Sequence, residues 1–105
     1  MTIPKTIDND VTETDHTPGF GSAAKFVATT VKEIQRDISV YTVKAVTVVE
    51  IMGRDAGWLT AASALPRYGD NEQGPDLVYL PEVAFDPEKF VADIKEIQKT
   101  KPAVL

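Results

Sequence analysis

The sequence predicts an α/β fold, with helices packed on a mainly parallel sheet. Three observations predict it. Segments with helical apolar spacing alternate along the chain with short runs of β-branched residues. The run Ala45-Val46-Thr47-Val48-Val49-Glu50-Ile51 is almost continuously apolar, as a strand covered on both faces must be. Two helices open on the same signature, a capping side chain followed by Pro (Thr17-Pro18 and Asp86-Pro87). Strands that alternate with helices pair in parallel through crossovers.

The first helix has Thr17 as expected N-cap and Pro18 as its first residue. Phe20, Ala23, Ala24, Val27, Val31 and Ile34 fall on one face, and Lys25, Lys32 and Arg36 fall largely off it. Ala45 to Ile51 reads as a mostly buried strand, and Met52 to Gly57 as the turn after it. Trp58 to Leu65 is Ala-rich and helix-like, stopped by Pro66. Arg67 to Pro75 reads as a surface loop, and Asp76 to Leu80 as a second short strand. In the last helix Asp86 caps, and Phe90, Val91, Ile94 and Ile97 form the buried stripe. Glu88 and Lys99 lie at the ends that the helix dipole prefers, and Pro102 ends the helix. Ala103-Val104-Leu105 reads as the first half of a further strand. Both ends of the chain thus read as the interior of a longer fold.

Composition narrows the function classes. One hundred and five residues leave room for one domain at most. Sixteen acidic against eleven basic side chains give a net charge of −5, which disfavours a nucleic-acid partner. There is no Cys and only one His, so disulfides, thiolate metal sites and His-pair sites are excluded. No apolar run is long enough to span a bilayer, and no signal-like start precedes the first helix. The expectation is a soluble, cytoplasmic chain.

Two places concentrate chemistry. Lys5-Thr6-Ile7-Asp8-Asn9-Asp10 joins a cation, a hydroxyl and two carboxylates. An ionised Asp can take a proton from a hydroxyl while a cation handles negative charge. Asp8 and Asp10 are two apart, so an extended backbone would point both into one cleft. A solvated Asp-Asn-Asp turn is the competing reading. A calcium loop is excluded, since the places for its glycine and its bidentate Glu hold Glu13 and Gly19. The second place is Met52-Gly53-Arg54, at the carboxyl end of the first strand, where parallel sheets bind ligands. Gly53 allows close approach, and Arg54 offers a planar fork of donors suited to phosphate. The helix start at Gly57-Trp58 adds N–H groups that favour an anion. An Arg lying in solvent is the competing reading. Glu50, inside an apolar strand, and Glu82, beyond a strand end, are weaker candidates. His16 has no second ligand beside it, and Trp58 reads as a packing residue.

Both places resemble one family, 6-phosphofructokinase, and within it the pyrophosphate-dependent type (diphosphate–fructose-6-phosphate 1-phosphotransferase). Pro4 to Asp10 is similar to that family's catalytic segment, and Met52 to Trp58 to its sugar-phosphate segment. Asp15 to Lys25 and Asp76 to Glu82 fit as well, so the resemblance runs over essentially the whole chain.

The resemblance implies a fragment of a three-layer α/β/α sandwich, with residues 1–105 as a central portion of the domain. It implies phosphoryl transfer to fructose 6-phosphate, giving fructose 1,6-bisphosphate in glycolysis, with Mg2+ as cofactor and a homo-oligomeric full-length enzyme. Asp8 matches the general base. Lys5 matches a catalytic cation at a position where ATP-dependent bacterial relatives usually have Gly, and so points to pyrophosphate as donor. Thr6, Ile7, Asp8, Met52, Gly53 and Arg54 match substrate-binding positions, and Asp10 matches a carboxylate near magnesium. The family's cross-subunit Arg is replaced by Ala45, with Lys44 beside it. The glycine-rich donor loop has no counterpart in residues 1–105. The isolated chain is therefore expected to be inactive. An ATP-dependent enzyme and a non-catalytic sugar-phosphate-binding remnant are the alternatives.

Overall fold

The computed structural model describes residues 1–68 and 74–105. The middle of the expected surface loop, residues 69–73, lies outside the described residues. In chain order the elements are α1 (Phe20–Ile38), β1 (Ala45–Val46), α2 (Trp58–Ala62), a 3-10 turn (Leu65–Tyr68), α3 (Pro87–Ile97) and β2 (Ala103–Val104). β1 and β2 pair in parallel, Ala45 opposite Ala103 and Val46 opposite Val104. The α/β class with parallel pairing is therefore observed.

Helix α1 organises the packing. Ala24, Val31 and Ile38 are buried and seven residues apart, so they share one stripe. The C-terminal half of that stripe packs on the sheet: Val31 and Ile38 form one cluster with Ala103 and Leu105, flanked by Val27, Ile34 and Ala45. The N-terminal half packs on α2: Ala24 clusters with Leu59 and Ala62, flanked by Ile7, Phe20, Ala23 and Ile51. One long helix thus fixes the acidic N-terminal segment and the turn before α2 relative to the same sheet.

Four expectations need correction. Thr17 does not cap α1. The helix starts at Phe20 behind a Thr17-Pro18-Gly19 turn, in which the Phe20 N–H donates to the Thr17 carbonyl at 3.1 Å. The strand over 45–51 forms a ladder only at Ala45–Val46, and Val46, Val48 and Val49 are exposed. Asp76 to Leu80 forms no ladder. A ladder needs a neighbour that supplies both donors and acceptors. Among the described residues only 102–105 lies beside either segment: the Thr47 N–H donates to the Val104 carbonyl at 2.9 Å, and the Asp76 and Leu77 N–H groups share the Leu105 carbonyl at 2.8 and 3.2 Å. The order across the layer is thus β1, β2, then 76–77. Finally, the α3 stripe is half-buried at Phe90, Ile94 and Ile97, and Val91 is exposed.

The last helix starts as the sequence predicts. The Asp86 carboxylate accepts from the Glu88 and Lys89 N–H groups at 2.9 and 3.1 Å, with Pro87 at the first position. Its C-terminal end is tied to the sheet by the Gln98 amide, which donates to the Ala45 and Pro102 carbonyls at 3.3 and 3.2 Å. Asp76 bridges the far edge, pairing with Lys101 through one oxygen and accepting from the Leu105 N–H at 3.0 Å through the other. No helix among the described residues is long and apolar enough to cross a membrane.

Candidate active site

The acidic segment is built around a buried Asn. Asn9 has a left-handed backbone, φ 58°, a conformation Asn adopts more readily than most residues. Its amide nitrogen donates to the Asp15 carbonyl at 3.0 Å, and its oxygen accepts from the Thr17 N–H at 2.9 Å. The Thr17 hydroxyl donates to the Thr6 carbonyl at 2.6 Å. The Asp8 N–H donates to the Thr6 hydroxyl at 3.1 Å, a local side-chain turn. Asn9 and Thr17 are both buried, so these bonds are shielded from water. The hydroxyl that sequence reasoning assigned to a helix cap instead ties the acidic segment to the start of α1.

The second segment is a turn held at both ends. Gly53 has φ 144°, a region that residues with a Cβ rarely enter, and a Cβ there would stand 2.5 Å from the Ala56 carbonyl oxygen. Gly57 closes the turn, its N–H donating to Glu82 Oε1 at 2.7 Å. Arg54 pairs with Asp55, Nε to Oδ2 at 3.0 Å, but the two side chains are 92% and 73% exposed. Such a surface pair contributes little, so the guanidinium can be redirected at small cost.

These two segments face one another. Asp8 and Asp10 form one wall, and Glu50 to Asp55 form the other, of an open cleft of about 690 Å³. The lining carries four carboxylates against one guanidinium. Asp8 Oδ1 is buried and has no hydrogen-bond partner among the described residues. Buried polar atoms are nearly always paired, so this oxygen is an exception.

Residues 1–105 match the phosphofructokinase family along their whole length. The chain belongs to the phosphofructokinase family. It is 50% identical over 95 residues to the pyrophosphate–fructose 6-phosphate 1-phosphotransferase of Rhodospirillum rubrum, covering 90% of this chain and 23% of that protein. It is 43% identical over 101 residues to the sulfofructose kinase of Alkalicoccus urumqiensis, covering 94% of this chain and 26% of that protein. Among solved structures, the pyrophosphate-dependent phosphofructokinase of Marinobacter aquaeolei superposes with a TM-score of 0.85 at 39% identity, over 97% of this chain and 26% of that one. The chain thus spans about a quarter of the length of these relatives.

In this phosphofructokinase segment, four of the residues singled out from sequence line the cleft with Asp10: Asp8, Met52, Gly53 and Arg54. Three others do not. Ile7 turns inward and packs on the Ala24–Leu59–Ala62 cluster, leaving only its backbone for a ligand. The Thr6 hydroxyl accepts from the Asp8 N–H. Lys5 is exposed and lies over Gly19, its Cε 3.1 Å from where a Cβ would stand. Asp8 and Asp10 line one cleft as expected, but the backbone between them is not extended. Asn9 stands left-handed between them.

Other weak candidates resolve differently. Glu50 lines the cleft, and Asp55 joins it although sequence reasoning gave it no role. Its only signal was adjacency to the Gly53-Arg54 turn. At the start of α2 the Glu82 carboxylate accepts from the Gly57 N–H. His16 stacks on Phe20, ring centroids 6.0 Å apart, and Trp58 is 56% exposed. No group of three His, Cys, Asp or Glu among the described residues is placed to hold a metal.

Proposed function

We propose that this chain forms the acceptor side of a catalytic site that phosphorylates fructose 6-phosphate to fructose 1,6-bisphosphate, with pyrophosphate as donor. One observation carries the reading: Asp8, one of whose carboxylate oxygens has no hydrogen-bond partner among the described residues, lines the same cleft as the Met52-Gly53-Arg54 turn. The Arg54 fork binds the 6-phosphate, and the backbone at Gly53 admits the sugar closely. The Asp8 carboxylate takes the proton of the 1-hydroxyl as that oxygen bonds to phosphorus, and the bond from phosphorus to the departing phosphate breaks. Positioning and charge neutralisation supply most of the rate in such transfers.

The acidic lining bears on the cofactor. Four carboxylates repel a phosphate ester and an inorganic donor unless cations offset them. Hard carboxylate oxygens suit Mg2+, which binds through one or two carboxylates and completes its shell with water and phosphate oxygens. Asp10, exposed in the cleft beside the base, fits that role as a single carboxylate ligand. Bound there, Mg2+ would offset charge on the transferring phosphoryl group.

The donor assignment rests on Lys5 and on the pyrophosphate-dependent relatives. From its place over Gly19, the exposed, flexible Lys5 side chain can swing towards an inorganic donor. Lys44, exposed just ahead of β1, stands beside the position of the family's cross-subunit Arg and suits a homo-oligomer. We place the reaction in the cytoplasm with the rest of glycolysis.

Calorimetric titration of the pure chain with fructose 6-phosphate tests the acceptor reading. Binding that falls at least about tenfold in Arg54→Ala is expected, since a charged bidentate contact is lost. Turnover with pyrophosphate or ATP is expected to stay at the level of a heat-killed control. Absence of sugar binding by a folded chain would overturn the acceptor assignment. Coding DNA ahead of Met1 that reads Gly-Gly-Asp-Asp in frame supports pyrophosphate, and Gly-Gly-Asp-Gly would move the donor to ATP.

A further inference from the structure

Glu82 has no part in the proposed chemistry, yet it makes the bond that closes the substrate turn. Its Oε1 accepts from the Gly57 N–H at 2.7 Å, across 25 residues of sequence. Gly57 is buried. A Cβ on it would stand 2.7 Å from Glu82 Oε2, 2.9 Å from Pro81 Cδ and 3.1 Å from Leu80 Cδ2. The backbone at Gly57 is therefore pressed directly against residues 80–82. Gly57 precedes α2 and has no side chain to cap it, and the Gly57 carbonyl already accepts from the Ala61 N–H at 2.8 Å. Glu82 supplies from a distance the oxygen that a Glu or Gln at the third helical position would give to the cap residue's N–H in a capping box. The other end of the turn is held by the close approach of Gly53 to Ala56.

We propose that Glu82 is a positioning residue for the sugar-phosphate segment. Its carboxylate fixes Gly57, and Gly57 fixes the turn that presents Met52 and Arg54 to the cleft. Glu82 touches no substrate. This rests on reading that turn as the acceptor segment. It also gives Gly57 a reason to be glycine independent of backbone angle, because any larger residue would push residues 80–82 away.

The test is amide hydrogen exchange on the ¹⁵N-labelled chain. Glu82→Ala is expected to speed exchange at Gly57 at least about tenfold, as loss of a charge-assisted bond implies, with the α1 amides around Val31 unchanged. Glu82→Gln keeps an uncharged acceptor and is expected to recover part of the protection. Unchanged exchange at Gly57, or an equal rise in α1 and the turn, overturns the proposal. Should Glu82→Ala fail to fold, the wild-type chain decides: a scalar coupling across the hydrogen bond from Gly57 N to Glu82 Cδ supports the latch, and its absence overturns it. Fructose 6-phosphate affinity is expected to drop about tenfold in Glu82→Ala and less in Glu82→Gln. A protected Gly57 in a chain that binds no sugar refutes the acceptor reading alone and leaves the latch supported.

Discussion

Replacing Asn9 by Ala isolates what holds the two cleft carboxylates in place. The substitution removes the acceptor of the Thr17 N–H, a bond of 2.9 Å at a residue only 3% exposed. An unsatisfied buried N–H costs about 1–3 kcal/mol. It also removes the donor to the Asp15 carbonyl, but Asp15 is exposed and water replaces that bond at little cost. Ala must then hold φ 58°, which costs about 1–2 kcal/mol for a residue with a Cβ. The expected loss is about 2–5 kcal/mol, a large share of what a small domain possesses. Asn9→Gly keeps the backbone conformation free of strain, so it should lose about 1 kcal/mol less. Urea unfolding of the three chains, followed by circular dichroism, measures both differences. A loss below about 0.5 kcal/mol in Asn9→Ala would refute the reasoning, since that is the scatter of an ordinary surface change. Equal losses in the two variants would refute the strain argument alone.

Three further outcomes follow from the same geometry. Asp8→Ala removes no side-chain hydrogen bond among the described residues, so stability should hold or rise by about 1 kcal/mol; a urea midpoint that falls would mean that Asp8 is structural. Gly53→Ala forces a Cβ to within 2.5 Å of the Ala56 oxygen, so the turn must rearrange; amide shifts of residues 52–57 should change while those of α3 stay fixed. The Tyr41 hydroxyl donates to Asp37 at 3.1 Å, and that bond and the Asp37 charge hold its pKa above the ordinary 10.0. The folded state thus favours the protonated phenol, and its contribution is full below the unfolded pKa and lost as pH rises through the folded one. Ultraviolet titration should place Tyr41 above a free tyrosine, and Asp37→Asn should bring it back.

Much of the fold could be read from the chain, and the reasons are specific. The stripe of α1 and the Asp86-Pro87 start rest on local side chains, and both stand where spacing put them. The Thr17 cap failed because a long-range acceptor, the Thr6 carbonyl, competes for its hydroxyl. The strands over 45–51 and 76–80 fell short because pairing is a property of neighbours and not of β-branched composition. At the site, residue type and topology located the Asp8 and Arg54 segments separately, whereas their meeting depends on α1 packing against both the sheet and α2. Glu82 shows the limit of local reading: an acid beyond a strand end looks like a ligand position, and only the fold reveals the Gly57 N–H it accepts.

The central claim is that the Asp8 segment and the Met52-Gly53-Arg54 turn form one acceptor site. Chemical-shift mapping of the ¹⁵N-labelled chain during a fructose 6-phosphate titration tests it most directly. Amides of Asp8, Gly53 and Arg54 should move together with a single dissociation constant, and Arg54→Ala should raise that constant at least about tenfold at Asp8 as well as at its own turn. Shifts confined to one segment, or a folded chain in which neither moves, would contradict the account.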